Sequence, residues 1–483
     1  MNRSDRPLQG AGALHGGASS RSSEFAKITM TRSSAHAISF ELHFGSFGLG
    51  FRSAFESAMR DLALGIDVGT SAVRAAAVDA NGCRAAFASA RMPAPFDDNG
   101  LVTQRPAAWW KATRRVLQNL ARQIDLKRIG AIAVDGTSGT VLGVDANGQP
   151  VTPAQMYNSR ARADIVRLIA AVAPPESAAH GATSALARAI VMQTQPGVTR
   201  SIQQADWISG QFSGRFDVTD ENNALKLGYD PTARCWPDWL VKVGVRPDHL
   251  STVVPAGTAI GMIARHRASA LGLAADVVIV AGTTDGCAAF LAAGAERCGD
   301  AVTSLGTTLV LKLLSDRPLF DSNLGVYSHR IDDLWLAGGA SNSGGAAIAK
   351  HFSLDRIREL SEKMSPNVPT GLHYYPLAGR GERFPHNNPD MQECAEPRPE
   401  SDILFLQALM EGVTSVEKLG YDCLAKLGGP SVKLIRTVGG AAKNAAWRAI
   451  RARMLGLPIV DPVDDEAAVG AAKLARRGLF LDS

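Results

Sequence analysis

LALGIDVGTSAVRAAAVD, residues 62–79, is the stretch of this chain that decides its fold. Two apolar segments flank a polar turn, a pattern typical of two strands joined by a tight hairpin. Gly69 lets the backbone approach a ligand closely, and the N–H groups and hydroxyls of Thr70 and Ser71 predict an anion-binding turn. Asp67 at the mouth of the turn would repel a phosphate unless a cation lay between them. The stretch therefore suggests a site for a Mg²⁺-nucleotide, and an ordinary hairpin with a polar turn is the alternative.

A second segment, residues 300–316, repeats this design. Its sequence DAVTSLGTTLVLKLLSD predicts a strand, a turn at Gly306, Thr307 and Thr308, and another strand. Two such hairpins are able to hold one polyphosphate from opposite sides. The repetition therefore favours phosphate binding over an ordinary turn for both hairpins.

Between the hairpins lies VVIVAGTTDGCAAFLAAGA, residues 277–295, which predicts a buried strand, a turn of small residues and a helix. Asp285 stands where the strand ends and the helix begins. A carboxylate at this junction makes the stretch chemically informative. Capping of the helix is the alternative to a chemical role, and the two roles are compatible.

A further glycine-rich turn is found in KLIRTVGGAAKNAAWRAIRARMLGLPIV, residues 433–460. Gly439 and Gly440 stand between a predicted strand and a predicted helix. A glycine pair at such a crossing allows a flat ring or a ribose to lie against the backbone. The pattern is weak by itself and gains weight from the two hairpins.

The remaining sequence predicts alternating helices and strands, as in an α/β protein. We expect helices over 103–124, 403–428 and 464–478, a buried strand over 129–136, and a loop over 220–231.

The composition sets limits on the class of protein. A chain of 483 residues is long enough for two domains, and 46% hydrophobic with 20% charged residues is typical of a globular protein. The net charge of +5 is small for this length and gives no indication of nucleic-acid binding. The sequence contains no uninterrupted apolar run of about 18 residues, so it predicts no membrane-spanning helix. The six cysteines form no CxxC pair and are expected to be reduced thiols.

Residues 1–58 differ from the rest, because they are rich in Ser, Arg, Ala and Gly and poor in acidic residues. They lack the long apolar segment of a secretory signal, and their composition is typical of an organellar transit peptide. We expect targeting to the chloroplast stroma ahead of the mitochondrion. A disordered extension, or a true start at Met59 and a cytoplasmic protein, is the alternative.

Taken in this order, the motifs from Leu62 onward resemble those of the FGGY carbohydrate kinases. LGIDVGTSAVRAAAVD and SLGTT resemble the two phosphate motifs of the family, GTTDGCAAF its catalytic-base motif, TVGGAAKNAAWRAIRARMLGLPIV its adenosine motif and DDEAAVGAAKLA its closing helix. The resemblance implies an α/β protein of the two-domain actin/Hsp70/sugar-kinase superfold, built from ribonuclease H-like domains, with ATP and sugar in the cleft between them. The expected domains are a sugar-binding domain over 62–294, an ATP-binding domain over 295–463, and a segment over 464–483 whose helix returns to the first domain.

The resemblance also implies roles for single residues. Asp285 is the expected general base, Asp67 the expected Mg²⁺ anchor, and Thr70 an expected contact of the transferred phosphate. The residues expected to bind ATP are Gly69, Thr70, Ser71, Gly306, Thr307, Thr308, Gly439, Gly440 and Asn444. The residues expected to contact the sugar beside Asp285 are Asp135, Thr137, Ser138, Arg160 and Asp220, with turn capping as the alternative for Ser138 and Asp220.

Two segments depart from the family's usual sugar motifs. GTSGT, residues 136–140, stands where many members carry a motif containing Gly-Gln, and YNSRA, residues 157–161, replaces a Trp-x-Asp-x-Arg pattern. Together with GGASNSGG, GERFP and DENNALKLGYDP, these segments resemble the compact plant and cyanobacterial group described as D-ribulose kinases or xylulose-kinase-like proteins. We therefore expect conversion of D-ribulose to D-ribulose 5-phosphate with ATP and Mg²⁺, by a monomer or homodimer that binds neither nucleic acid nor membrane.

Three alternatives stay open at this point. D-xylulose or another polyol is a possible acceptor, because the ATP motifs do not discriminate between sugars. A non-catalytic nucleotide or sugar sensor is opposed by the intact Asp67, Thr70 and Asp285. A chaperone ATPase of the same superfold is opposed by the lack of a separate peptide-binding module after the C-terminal motif.

Overall fold

A computed structural model of the protein describes residues 60–479. The predicted leader, residues 1–58, and residues 480–483 lie outside the described residues. Within the described part, no helix combines the length and apolarity that a membrane crossing requires. All six cysteines of the sequence lie in the described part and are free thiols.

Two six-stranded sheets form the centres of two lobes, which we call the N-terminal lobe (62–293) and the C-terminal lobe (300–460). The strands of the N-terminal lobe are β1 (Leu62–Val68), β2 (Ala72–Val78), β3 (Arg84–Arg91), β4 (Phe96–Asp98), β5 (Leu101–Gln104), β6 (Ile129–Gly136), β7 (Val141–Val144), β8 (Ala154–Gln155), β9 (Arg200–Gln203), β10 (Val218–Asp220), β11 (Thr252–Val254), β12 (Ala259–Met262) and β13 (Val278–Thr284). The strands of the C-terminal lobe are β14 (Asp300–Leu305), β15 (Leu309–Ser315), β16 (Tyr327–Ile331), β17 (Leu334–Ser341), β18 (Leu434–Val438) and β19 (Ile459–Val460).

Helices cover the sheets. Those of the N-terminal lobe are α1 (Pro106–Leu120), α2 (Ala163–Val172), α3 (Ala185–Met192), α4 (Gln204–Ser213), α5 (Glu221–Ala224), α6 (Trp239–Lys242), α7 (Arg265–Leu271) and α8 (Asp285–Ala293). Those that follow are α9 (Gly345–Ala349), α10 (Leu354–Ser361), α11 (Asp402–Lys426), α12 (Ala445–Leu455) and α13 (Ala467–Arg477).

The two large sheets share the topology of five of their six strands, which are β3-β2-β1-β6-β13 in one sheet and β17-β15-β14-β18-β19 in the other. Their strand orders are β12-β13-β6-β1-β2-β3 and β16-β17-β15-β14-β18-β19. In each, the first strand pairs antiparallel with its hairpin partner, as β1 with β2 and β14 with β15. On its other side it pairs parallel with a later strand, β6 or β18. The repeated hairpin motif of the sequence therefore reflects a repeated α/β lobe, in agreement with the predicted class.

The central strands β1 and β6 are buried along their whole length. Uninterrupted apolar runs of this kind are typical of strands covered on both faces. A smaller five-stranded sheet, in the order β4-β5-β8-β7-β9, extends the N-terminal lobe. The cores of the two lobes are separate clusters of buried apolar side chains.

The helix predicted over 103–124 is shorter in the structure. Residues 101–104 form β5, and α1 begins at Pro106. Proline is favourable at the first helical position, and it pushes the residue before it into an extended conformation. The strand therefore ends and the helix begins at the proline.

The loop predicted over 220–231 is wrong in its first part. Asp220 accepts hydrogen bonds from the N–H groups of Asn222 and Asn223 at 2.9 and 3.0 Å, and so caps the short helix α5. A 3₁₀ turn at Leu225–Leu227 follows directly. Aspartate is among the preferred N-cap residues, so the sequence contained this signal.

Helix α13 packs against β1 and α8 of the N-terminal lobe at backbone distance. A Cβ atom on Gly65 would lie 1.9 Å from the carbonyl oxygen of Ala468, and one on Gly470 would lie 1.8 Å from that of Ala288. Real Cβ atoms do not approach this closely, so both positions need glycine. The helix therefore fixes β1 and α8 relative to each other.

Gly470→Ala is expected to lower the free energy of unfolding by about 3 kcal/mol, because the added methyl group must displace α13 from α8. The better helix propensity of alanine, about 1 kcal/mol, is too small to offset this effect. Urea denaturation followed by circular dichroism measures the change. Gly379→Ala, where a Cβ meets no atom within 4 Å, is the control. Equal stability of the two variants would contradict the proposed packing constraint.

Candidate active site

Three carboxylates meet at the carboxyl edge of the N-terminal sheet. Asp67, near the end of β1, is paired in register with Asp135 in β6. Asp285 is the first residue of α8 and directly follows β13, which pairs parallel with β6. Because β1, β6 and β13 are parallel, their carboxyl ends share one edge, and ligands of open α/β sheets bind at this edge.

Asp135 is the most deeply buried of the three. It has no exposed surface, and neither of its carboxylate oxygens accepts a hydrogen bond from another described residue. Burial, and then the negative charges of Asp67 and Asp285, raise the pKa of Asp135 well above its usual value. Asp135 has no exposed surface and does not line the cavity beside Asp285, so the geometry does not indicate the direct sugar contact predicted for this residue.

Arg74 is paired with Asp67. The two residues stand opposite each other in the β1–β2 hairpin, and Arg74 Nη1 donates to Asp67 Oδ2 at 3.0 Å. Arg74 Nε lies 3.6 Å from Glu466 Oε2, one residue before α13. Arg74 was not among the predicted site residues, although the hairpin register alone places it opposite Asp67.

A cavity of about 540 Å³ opens beside Asp285, and we call it the aspartate cavity. Its wall includes the predicted site residues Asp67, Gly69, Thr70, Thr137, Ser138 and Asp285, together with Arg74, Tyr157 and Lys226 of the N-terminal lobe. Lys312, Tyr327 and His329 of the C-terminal lobe complete it. The cavity therefore joins most of the predicted catalytic and sugar residues to cations that the sequence analysis did not nominate.

The turn GTSGT presents one unoccupied hydroxyl to this cavity. Thr137 Oγ1 lies 2.8 Å from Gln204 Oε1 and 2.6 Å from Thr140 Oγ1. Ser138 Oγ is buried and has no hydrogen-bond partner among residues 60–479. Ser138 is therefore the hydroxyl of this turn that is available to a ligand.

Besides Asp135, two further predicted sugar residues do not line the aspartate cavity. Arg160 is exposed, and its Cδ would lie 2.8 Å from a Cβ on Gly100, so its side chain packs on the β4–β5 turn. Asp220 is buried, and besides capping α5 it accepts from Asn223 Nδ2 at 2.6 Å. Burial raises the pKa of Asp220 to about 6. The structure thus favours the turn-capping alternative for Asp220.

Asp285 is half-buried and faces the aspartate cavity. Its Oδ1 accepts from the N–H of Gly286 at 2.7 Å, whereas the N-cap of α8 is Thr284. Burial and the negative charge of Asp67 raise the pKa of Asp285, and Lys226 lowers it in part. Because it is not used as a cap, the carboxylate is free to accept a proton from a ligand.

A larger cavity of about 920 Å³ lies in the C-terminal lobe, and we call it the glycine cavity. Of the predicted ATP residues, Gly306, Thr307, Gly440 and Asn444 line it. Asn444 also caps α12, accepting from the N–H of Trp447 at 3.0 Å, and its Nδ2 donates to Ser361 Oγ at 2.8 Å. The mostly apolar wall and the glycine turns suit a flat ring.

Glycines hold the second hairpin in place against its neighbours. A Cβ on Gly439, which has a φ of +94°, would lie 2.8 Å from the carbonyl oxygen of Leu305. A Cβ on Gly344 would lie 2.8 Å from the carbonyl carbon of Thr308. Gly345 N–H donates to Gly306 O at 2.8 Å. The Gly439–Gly440 turn and the GGASNSGG segment therefore position the hairpin.

The hairpin glycines themselves do not offer free N–H groups. Gly69 N–H donates to Ala72 O at 3.1 Å, and Gly306 N–H donates to Thr308 O at 3.2 Å. Ser71 and Thr308 are not among the residues that line either of the two cavities. Phosphate binding at these turns would thus depend mainly on Thr70 and Thr307. These are fewer residues than the sequence predicted for the two turns.

Among residues 60–479, no group of three or more His, Cys, Asp and Glu side chains forms a preformed metal site. Mg²⁺ in nucleotide enzymes is commonly held by one or two carboxylates and by substrate phosphates. Asp67, which faces the aspartate cavity, fits this arrangement. The donor set is therefore compatible with a Mg²⁺ that arrives with a nucleotide.

Two family models match the chain: the N-terminal domain of the FGGY family of carbohydrate kinases over residues 62–292, and the C-terminal domain of that family over residues 301–479. The chain belongs to the FGGY family of carbohydrate kinases. It is a phosphotransferase with an alcohol group as acceptor, and sugar kinases of this family use ATP.

Curated relatives of this kinase include enzymes with different named substrates. Xylulose kinase of Staphylococcus epidermidis is 25% identical, with 87% of this chain and 88% of the relative covered. Autoinducer-2 kinase of Yersinia enterocolitica is also 25% identical, with 87% of each chain covered. Xylulose kinase of Escherichia coli is 24% identical, with 86% and 89% covered.

Solved structures confirm the predicted two-domain sugar-kinase fold. A xylulose kinase from Brucella ovis superposes with a TM-score of 0.76 at 22% identity, covering 86% of this chain and 90% of that one. A gluconate kinase from Lactobacillus acidophilus gives a TM-score of 0.76 at 20% identity, covering 86% and 89%. At these identities the likeness concerns the fold alone.

Gly439→Ala is expected to raise the KM for ATP of this kinase about 10-fold or more, because the methyl group would displace the Leu305–Gly306 backbone. Steady-state kinetics at saturating sugar measures this effect. Gly428→Ala is a matched control, since its φ of +95° is nearly the same and a Cβ there meets no atom within 4 Å. Both variants lose about 1 kcal/mol of stability through the positive φ. A normal KM in the Gly439 variant would contradict the positioning role of this turn.

Proposed function

We propose that this kinase transfers the γ-phosphoryl group of ATP to a ketopentose, with D-ribulose as the preferred acceptor and D-ribulose 5-phosphate and ADP as products. The observation that carries the reaction is the position of Asp285, half-buried and unused as a helix cap, in the wall of the aspartate cavity. A base in this position is close to any sugar hydroxyl that enters the cavity.

In the proposed reaction, the 5-hydroxyl oxygen of the sugar attacks the γ-phosphorus of ATP. A new oxygen–phosphorus bond forms, the bond from the γ-phosphorus to the ADP oxygen breaks, and Asp285 takes up the hydroxyl proton. Ser138 Oγ, which has no described partner, is the candidate donor or acceptor that orients the sugar. Thr70 and Thr307 contact the phosphates from the two hairpins.

Asp67 is the residue proposed to hold Mg²⁺ together with the ATP phosphates. When bound, this ion neutralises charge on the phosphates. Asp67 is also paired with Arg74, so the arginine compensates the charge of the carboxylate within the hairpin. The Gly440 and Asn444 surfaces of the glycine cavity would hold the nucleoside.

The preference for D-ribulose is supported by the departures from the usual sugar motifs. Of the segment YNSRA, only Tyr157 lines the aspartate cavity, and Arg160 points to the β4–β5 turn. The sugar contacts of members with the Trp-x-Asp-x-Arg pattern therefore do not carry over to this chain. D-xylulose is the second candidate, because two of the curated relatives described above are named xylulose kinases.

Side-by-side turnover of D-ribulose and D-xylulose tests the choice of sugar. The two differ in the configuration of one hydroxyl, and a pocket that hydrogen-bonds this hydroxyl should discriminate at least about 10-fold in kcat/KM. ADP release coupled to a second enzyme is the readout, with glycerol and gluconate as further acceptors. Equal or better turnover of D-xylulose would reject D-ribulose as the preferred substrate.

Asp285→Asn is expected to lower kcat about 10²- to 10⁴-fold, since the general base is lost while the shape of the site is retained. In the wild type, activity should fall as the pH decreases through the pKa of Asp285, which lies above the usual carboxyl value. Asp220→Asn is the matched control: it is buried, outside the cavity, and asparagine is also a good N-cap. A normal kcat for Asp285→Asn would overturn the assignment of the base.

A further inference from the structure

The C-terminal wall of the aspartate cavity carries an unusual set of side chains. Lys312 in β15 is paired in register with Gly338 in β17, which is paired in turn with Tyr327 in β16. The three residues thus lie side by side on one face of the sheet. Because Gly338 has no side chain, the Lys312 stem lies over it; a Cβ there would be 2.8 Å from Lys312 Cδ.

The path of the Lys312 side chain over Gly338 directs its ammonium group along the cavity wall. Lys312 Nζ lies 6.0 Å from the ring centroid of Tyr327. The Tyr327 ring lies in turn 5.2 Å from that of His329, two residues further along the same strand. His329 is buried, and its Nδ1 has no hydrogen-bond partner in the described part of the chain. A buried, unpartnered ring nitrogen next to a cation is a polar group that a ligand can satisfy.

Lys226 approaches the same place from the N-terminal lobe. It belongs to the 3₁₀ turn Leu225–Leu227, and its Nζ donates to Ser138 O at 3.3 Å. Both Lys226 and Lys312 lie close enough to His329 to lower its pKa further, after burial, so the imidazole is neutral. The two lysines, from opposite lobes, therefore line the same cavity as His329.

Asn222 fixes this convergence. Its Nδ2 donates to Arg330 O and its Oδ1 accepts from the N–H of Arg330, both at 2.9 Å. Nδ2 also donates to Thr283 Oγ1 at 3.0 Å. The residue ties the segment that carries Lys226 to the strand that carries His329.

Neither lysine has a carboxylate partner within residues 60–479, although three carboxylates lie in or near the same cavity. Arg74, in contrast, is paired with both Asp67 and Glu466. Lys226 is close enough to Asp285 to lower the pKa of that carboxyl. Two ammonium groups in one cavity wall still repel each other, and an anion between them removes this repulsion. Tetrahedral oxyanions accept several hydrogen bonds at once, and lysine is a common partner of phosphate.

We propose that Lys226, Lys312 and His329 form an anion subsite that receives the transferred phosphoryl group and holds it as the phosphate monoester of the sugar product. The subsite belongs to the cavity of Asp285, Thr137 and Ser138, whereas Gly306 and Thr307 line the glycine cavity. It therefore serves the acceptor end of the reaction. The inference rests on phosphoryl transfer by this kinase and is independent of which sugar is the acceptor.

Binding of inorganic phosphate and of D-ribulose 5-phosphate to the full-length protein, measured by isothermal titration calorimetry, tests the subsite. Lys226→Met and Lys312→Met should each weaken both ligands about 10- to 100-fold, since each removes a charge-assisted hydrogen bond. Lys312→Arg should retain most of the affinity. Lys418→Met is the control, because Lys418 is half-exposed on α11 and pairs with Asp422 at 2.8 Å.

Kinetics separates this role from nucleotide binding. The lysine variants should lose at least about 10-fold in kcat with any accepted pentulose, while the KM for ATP stays within about 2-fold. Unchanged phosphate affinity in both methionine variants would overturn the proposal, and so would a loss confined to the KM for ATP. If Lys312→Met is unfolded by circular dichroism, Lys312→Gln replaces it under the same criteria. A preference for D-xylulose would reject the proposed sugar and leave the subsite unaffected.

Discussion

The crowding of negative charge at one edge of the N-terminal sheet is the constraint on which the rest of the site depends. Asp67 and Asp135 are neighbours by strand register, and Asp285 enters from the next parallel strand. Three ionised carboxylates in this space would repel one another strongly. Two features act against this repulsion: burial raises the pKa of Asp135 well above its usual value, and Asp67 is paired with Arg74. Of the two carboxylates that line the cavity, Asp285 is thereby left as the one without an arginine partner.

The close backbone contacts at Gly65 and Gly470 also help to fix the positions of these carboxylates. They allow α13 to touch β1 and α8 directly, so a helix from the end of the described chain sets the separation of Asp67 and Asp285. In the C-terminal lobe, Gly439 and Gly344 likewise allow close backbone contacts that position the second hairpin. Small residues in these motifs thus act less as ligand contacts than as spacers that bring rigid elements together.

Local features of this protein could be predicted from sequence, and long-range ones could not. The strand–turn–strand hairpins and the strand-to-helix junction at Asp285 depend on neighbouring residues, and the structure contains them with nearly the expected bounds. The register that brings Lys312, Gly338 and Tyr327 together joins three strands, and no local pattern specifies it. The position of Arg160 outside the aspartate cavity has a related cause, because its side chain packs against the distant Gly100. Arg74 is the intermediate case, since the hairpin register would have revealed it.

The paired hydrogen bonds between Asn222 and the backbone of Arg330 also bear on how the cleft moves. Kinases of this kind sequester their reaction by closing around substrates. A side-chain amide that donates to the carbonyl and accepts from the N–H of the same residue is held at two points, so it permits small rotations more readily than sliding. Opening and closing of the two lobes should therefore be a hinge rotation about the contact between Asn222 and Arg330. Side chains close to this hinge contact, His329 among them, would be displaced little. The two phosphate turns would be displaced further.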